Sequence, residues 1–178
     1  FVDEAALFRK AKEIHRKSLI IDSHCDTPMK FTEGFNFGER HEEVKVDLPK
    51  MQEGQEDAVF MVAYLHQDAR DDESLQAATQ KAVDILYQIS EQVKLNEKQV
   101  GVAYNVDDLI YLKNAGKKAI FLAIENGYAI GKDLGNLSMF KDMGITYITL
   151  CHNGSNDICD SAKGEPEHNG LSPFGREV

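Results

Sequence analysis

The fold of this chain is decided by the stretch Leu19-Ile20-Ile21-Asp22-Ser23-His24-Cys25-Asp26, an apolar run that ends on a histidine and a carboxylate two residues apart. The run predicts a strand. Because side chains alternate faces along a strand, His24 and Asp26 leave the backbone on the same side and could bind one metal ion. For this tripeptide alone, a hydrogen-bonded His24 beside a turn with Asp26 as a helix cap is the alternative interpretation.

Three more apolar runs of strand length follow, and each ends on a polar side chain. They are residues 58–65, followed by His66; residues 118–124, followed by Glu125; and residues 145–150, followed by Cys151 and His152. Unbroken apolar runs of this length are typical of strands that are covered on both faces, as in a parallel sheet. The sequence therefore predicts four parallel strands.

Apolar residues at helical spacing lie between these runs. They predict a first helix around residues 7–14, a long helix over 75–93, a helix from Asn105 to Gly116, and a helix around 137–140. Residues 27–57 predict a loop with a short helix after Asp47, and its Phe31, Phe35 and Phe37 either pack locally or line a pocket. Strands that alternate with helices predict an α/β fold, whose ligands bind at the carboxyl ends of the strands.

Four side chains at these strand ends form the candidate site. His24 and Asp26 end the first strand, Glu125 follows the third, and His152 follows the fourth. Two imidazoles and two carboxylates at one sheet edge are what a hydrolytic metal centre requires. Mixed nitrogen and oxygen ligands favour zinc over manganese, cobalt or iron, whereas calcium and magnesium prefer oxygen ligands alone.

The remaining histidines and Cys25 are left out of this site. Cys25 lies between two candidate ligands, but strand alternation directs it to the opposite face. His66 has a similar strand-end position without further support. Three other histidines lie in helix or loop contexts in which a solvated side chain is expected, namely His15, His41 and His168.

The composition excludes several classes of partner. The chain has 178 residues and a formal net charge of -10, which argues against binding to nucleic acid or to an anionic membrane surface. Three cysteines without a CxxC pair do not indicate a disulfide scaffold. No apolar run approaches the roughly 20 residues that span a bilayer. Because the first residue is Phe1 and not Met, a removed export signal is possible, and export is favoured over a cytoplasmic location.

Five motifs together resemble the membrane dipeptidase (renal dipeptidase) family of zinc metallopeptidases. The motifs are IDSHCDTP, VKVDLPKMQEG, FLAIENGYAIG, GITYITLCHNGSND and GLSPFGREV, and they cover nearly the whole chain in order. The resemblance implies an amidohydrolase-like β/α (TIM) barrel with two zinc ions that hydrolyses dipeptides, tolerates a D-residue at the carboxyl-terminal position and, in some members, opens β-lactams.

The resemblance also implies roles for the site residues. It makes His24 and Asp26 ligands of one zinc, Glu125 the carboxylate that bridges both zinc ions, and His152 a contact to substrate near the scissile carbonyl. In the family the second zinc takes two histidines from later strands, and no residue after His152 matches them. Ser172 and Pro173 predict the start of another helix close to the end of the chain.

We therefore expect residues 1–178 to be the amino-terminal portion of a single barrel domain. A complete barrel has eight strands and about 250 residues, so the four predicted strands cannot close the sheet, and this chain alone should be inactive. The expected partner is a dipeptide substrate. Whether the protein forms a homodimer is left open by the sequence. Two alternatives are a non-catalytic relative that binds a metal or a partner, and an amidohydrolase that acts on cyclic amides or lactones.

Overall fold

The computed structural model describes residues 3–31 and 34–178 of the chain. Its architecture is α/β, with five parallel strands and six α-helices in the described part. The strands are β1 (Ile21–Cys25), β2 (Ala58–Tyr64), β3 (Val100–Val102), β4 (Lys118–Glu125) and β5 (Ile145–Thr149). The helices are α1 (Glu4–Lys17), α2 (Leu48–Glu53), α3 (Asp72–Leu95), α4 (Val106–Asn114), α5 (Gly135–Asp142) and α6 (Pro173–Glu177).

The sheet has the order β1-β2-β4, and both β3 and β5 pair with the edge of β4 that faces away from β2. β2 and β4 pair over their whole length, from Ala58 opposite Ala119 to Tyr64 opposite Glu125. On its other side, β4 pairs with β3 near its amino end and with β5 near its carboxyl end. Since all pairs are parallel, the carboxyl ends of β1, β2, β4 and β5 meet at one edge of the sheet.

Alternate residues of β4 pack into two different apolar clusters. Ile120, Leu122 and Ile124 belong to the main core, which includes the buried side of α3. Ala119 and Phe121 belong to a second cluster, to which α4 contributes buried leucines. The Phe121 ring stacks on Phe60 of β2 with 4.7 Å between centroids. We call the sheet face with Phe60 and Phe121 the inner face, and the face against α3 the outer face.

The sheet is strongly curved about its inner face. Tyr147 of β5 packs its ring against Phe60, and its hydroxyl donates to the Ser23 carbonyl of β1 at 2.9 Å. In a flat sheet, three strand spacings of about 4.8 Å would separate β1 from β5. The contact between these outer strands shows barrel-like curvature, although β1 and β5 are not paired in the described part of the chain.

Four of the five strands lie where the sequence predicts them, and one prediction is wrong. The apolar runs predict four strands, but β3 adds a fifth between α3 and α4. β3 has three residues, Val-Gly-Val, which is too short for an apolar pattern to stand out. The predicted helices are confirmed, with caps at Asp47, Asn105 and Ser172.

Two further predictions concern the first helix and the loop phenylalanines. α1 is a helix as predicted, but none of its residues is buried, and Leu7, Phe8 and Ile14 are more than half exposed. The loop phenylalanines pack locally, since Phe31 contacts Phe35 and Phe37 at centroid distances of 5.4 and 5.8 Å. Among the helices that the structure describes, none has the length and apolar character needed to cross a bilayer.

Candidate metal centre

Three predicted ligands meet at the carboxyl edge of the sheet. One ligand atom from each of His24, Asp26 and Glu125 lies within 4.8 Å of the other two. His24 Nε2 is 3.2 Å from Glu125 Oε2 and 3.4 Å from Asp26 Oδ1. Asp26 precedes a short 3-10 helix but makes no side-chain capping bond to it, so its position does not serve as a helix cap. The predicted convergence is confirmed, while the role as metal ligands stays a prediction.

The charge around Glu125 fits a bound cation. Its side chain is only 14% exposed, and the basic groups within 4 Å of its carboxylate are the imidazoles of His24 and His152. No lysine or arginine in residues 3–31 and 34–178 forms an ion pair with it. Because a buried carboxylate needs a compensating charge, a site with two carboxylates and imidazole nitrogen is suited to zinc or a similar divalent ion.

His152 lies beside this group without belonging to it. It follows β5, and its Nε2 is 3.3 Å from Glu125 Oε1. The ring of Tyr64 meets the His152 ring edge-on, with 5.1 Å between centroids. Its side chain is 33% exposed, so it can reach a molecule bound at the sheet edge. The predicted contact of His152 with substrate stays a prediction.

Sequence reasoning missed Tyr147, whose hydroxyl contacts His24. His24 Nδ1 lies 3.0 Å from the Tyr147 hydroxyl, on the side of the ring opposite Glu125. Burial, together with the negative charges of Glu125, Asp26 and Asp22, raises the pKa of Tyr147 to about 12. The hydroxyl therefore keeps its proton at neutral pH.

Asn126 was also missed, and it holds the strand ends together. It directly follows Glu125, is fully buried, and has a φ of 84°, which is uncommon for a residue other than glycine. Its amide donates to the Leu65 carbonyl at 3.0 Å and accepts from Asn156 at 3.0 Å. Its backbone N–H donates to Thr149 at 2.9 Å. These bonds join the ends of β2, β4 and β5 and compensate for backbone strain of roughly 1–3 kcal/mol.

The other candidates are not brought to this centre. Cys25 is buried in the main core on the outer face, as alternation predicts. His66 is exposed, and its Nδ1 is 3.5 Å from the Tyr64 hydroxyl. The expectation of solvated side chains is wrong for two loop histidines, because His41 stacks on Phe35 and His168 bonds to a backbone carbonyl at 2.9 Å.

Two cavities differ in their relation to the centre. A cavity of about 350 Å³ adjoins it and is lined by His24 and Asp26 together with Lys30, Glu43 and Lys45. A larger groove of about 470 Å³ lies between α3 and α5 and contains none of the candidate site residues. A molecule in the smaller cavity would therefore contact two of the predicted ligands, His24 and Asp26, while Glu125 and His152 do not line it.

Comparison with known proteins identifies relatives of this chain. The chain is 32% identical over 142 residues to Dipeptidase tcpJ of Claviceps purpurea, a match that covers 75% of this chain and 32% of that protein. It is 29% identical over 191 residues to the uncharacterized dipeptidase C965.12 of Schizosaccharomyces pombe, covering 95% of this chain and 45% of that protein. The chain thus spans less than half the length of these relatives.

Solved structures share the fold. The probable dipeptidase PvdM from Pseudomonas aeruginosa superposes with a TM-score of 0.87 at 24% identity, over 98% of this chain and 46% of that one. A metallopeptidase from Rhodobacter sphaeroides, solved with a phosphinate mimic of the dipeptide L-Ala-D-Ala, superposes with a TM-score of 0.71 at 16% identity, over 89% of this chain and 54% of that one. The fold is therefore that of the dipeptidase barrels, of which the chain covers about half.

A family model extends the likeness over almost the whole chain. The model described as "Membrane dipeptidase (Peptidase family M19)" matches residues 8–178, a range that includes all four predicted site residues and Tyr147. The chain belongs to the membrane dipeptidase family, peptidase family M19.

Proposed function

We propose that the protein hydrolyses dipeptides with the help of zinc, including dipeptides with a D-residue at the carboxyl-terminal position. The observation that carries this proposal is the convergence of His24, Asp26 and Glu125 within 4.8 Å. His152 adds an imidazole 3.3 Å from the Glu125 carboxylate. Such a site combines a place for a divalent ion with a group free to contact substrate.

The relatives support the substrate class. The Claviceps and Schizosaccharomyces proteins carry the name dipeptidase, and the Rhodobacter structure contains a mimic of L-Ala-D-Ala. Because the chain covers less than half of the two fungal relatives, we propose the activity for the whole protein to which it corresponds.

In this proposal each residue of the centre has a defined task. His24 Nε2 and the carboxylates of Asp26 and Glu125 would hold zinc. The Glu125 carboxylate, which lies 3.2 Å from His24 and 3.3 Å from His152, would also be available to a second ion. Zinc bound there would act as a Lewis acid and supply a nucleophile from water at neutral pH. His152 donates a hydrogen bond to the carbonyl oxygen of the substrate and stabilises its developing negative charge.

The experiment uses the full-length protein, purified and loaded with zinc. We expect hydrolysis of L-Ala-L-Ala and L-Ala-D-Ala, together with zinc in the purified protein. His24→Ala and Asp26→Ala should each lower the zinc content of the protein and abolish turnover. His66→Ala is the matched control, since His66 also follows a strand but is exposed and lies outside the group.

Several results would contradict the proposal. Retention of two zinc ions per molecule in His24→Ala would show that the first ion binds elsewhere. Zinc binding without turnover of any dipeptide would favour a non-catalytic relative. Faster turnover of a cyclic amide or lactone than of either dipeptide would assign the protein to another amidohydrolase activity.

A further inference from the structure

The Tyr147 hydroxyl has two polar neighbours that together determine the direction in which its proton points. It lies 2.9 Å from the Ser23 carbonyl oxygen and 3.0 Å from His24 Nδ1. A carbonyl oxygen can only accept, so the single phenolic proton points to Ser23. The Tyr147 oxygen then accepts, and the proton of that second bond comes from His24 Nδ1.

This arrangement determines which nitrogen of His24 has a lone pair available to bind a cation. With its proton on Nδ1, a neutral imidazole carries a lone pair on Nε2. Nε2 is the atom that faces Glu125 at 3.2 Å and Asp26 at 3.4 Å. The tautomer set by Tyr147 therefore directs the lone pair toward the two carboxylates, where a cation would bind.

The tyrosine itself is held in place by the sheet. Its ring packs against Phe60 at 5.4 Å between centroids, and Phe60 stacks on Phe121. These rings lie on the inner face beneath the candidate centre. Since aromatic packing restricts both torsions of the side chain, the hydroxyl is a fixed acceptor for the imidazole.

We propose that Tyr147 is a positioning residue that holds His24 in the Nδ1–H tautomer, so that Nε2 is its metal-binding atom. The inference rests on the proposed function, in which His24 is a ligand. Partners of the second imidazole nitrogen set ligand orientation and basicity in metal sites, and their removal typically lowers metal affinity by about 10- to 100-fold.

The test compares two tyrosine variants of the full-length protein. Tyr147→Phe removes the acceptor for Nδ1, whereas Tyr128→Phe removes a buried hydroxyl that also donates to a backbone carbonyl, that of Ala69, away from the centre. Zinc affinity is measured by chelator competition. We expect a decrease of roughly 10- to 100-fold for Tyr147→Phe and none for Tyr128→Phe. Equal affinities for wild type and Tyr147→Phe would overturn the inference.

A second measurement reports the proton on His24 directly. The imidazole ¹⁵N chemical shifts of His24 in the zinc-loaded protein report which nitrogen carries the proton, and a His24→Ala variant assigns the signals. We expect Nδ1–H in wild type and a mixture of tautomers in Tyr147→Phe. An Nε2–H tautomer in wild type refutes the inference even if zinc binds. Zinc that binds independently of His24, with the expected tautomer retained, contradicts the proposed function alone.

Discussion

The two faces of β4 differ at the carboxyl end of the strand, where the inner face ends on a carboxylate. The outer face presents Ile120, Leu122 and Ile124 to the main core, and all three are at most 2% exposed. The inner face presents Phe121 and, at the strand end, Glu125, which lies among histidines instead of aliphatic side chains. The comparison indicates that one strand provides stability on one side and chemistry on the other. Substitutions on each face should therefore change different measured quantities.

The largest effect is expected from Glu125→Gln on the inner face. The substitution keeps the shape of the side chain but removes the charge that would bind zinc, so turnover of the full-length protein should fall roughly ten-thousandfold, as for the loss of a central catalytic group. In chelator-treated protein, the free energy of unfolding should not decrease, because the substitution removes a largely buried carboxylate that has no lysine or arginine partner in the described part of the chain. Steady-state kinetics and urea unfolding measure the two quantities. A large loss of stability would contradict the division between the faces.

Leu122→Ala on the outer face should have the reverse effect to Glu125→Gln, with lower stability and unchanged zinc binding. Leu122 is 2% exposed in the main core, and the cavity left by its truncation should lower the free energy of unfolding by about 2–5 kcal/mol. Zinc content per folded molecule should stay at the wild-type value. Urea unfolding and metal analysis of the same preparation provide the measurements. Loss of zinc from the folded variant would show that the outer face also shapes the centre.

His152→Ala sharpens the comparison within the inner face. If His152 contacts substrate, its truncation should lower turnover about a hundredfold, the usual result of losing one contact to a developing oxyanion. Zinc content should remain close to that of wild type, because His152 lies outside the group of three. Loss of zinc in proportion to the loss of activity would instead indicate that His152 is a zinc ligand.

Glu56, at the opposite end of the strands, is expected to give the smallest effect. Burial, followed by the negative charge of Asp22, raises the pKa of Glu56 from 4.5 to about 7, and Glu56 Oε1 has no hydrogen-bond partner in the described part of the chain. The folded state therefore binds the Glu56 proton more tightly, so the contribution of Glu56 to stability is fully present below pH 4.5 and is lost as the pH rises through about 7.

Glu56→Gln removes this dependence. The variant should match wild type near pH 4.5 and exceed it by about 1–2 kcal/mol above pH 7, a value reduced to allow for partial exposure. Urea unfolding across this pH range measures the difference, with the exposed Glu97→Gln as control. An unchanged difference between pH 4.5 and pH 8 would show that Glu56 is ionised throughout.

The sequence predicts the ligands better than it predicts what holds them. His24, Asp26 and Glu125 follow from strand period and from the shared edge of parallel strands, which are local rules. Tyr147 was not predicted, because its bond to β1 depends on the curvature of the sheet, and a tyrosine in a strand ordinarily indicates core packing. Asn126 was missed because the Asn-Gly pair after β4 indicates a turn but not the buried bonds that the Asn126 amide makes. β3 was missed because it has only three residues.

The bond between Tyr147 and Ser23 joins residues 124 positions apart, and the contact between His24 and Glu125 joins residues 101 positions apart. Contacts of this separation carry a large loop-closure entropy and form slowly compared with helices. A chain synthesised only as far as α4 contains His24 and Asp26 but neither Glu125 nor Tyr147. We therefore expect α3 to form early in refolding and the centre to be assembled late, so that the rate of zinc uptake reports the docking of β4 beside β2 and β1.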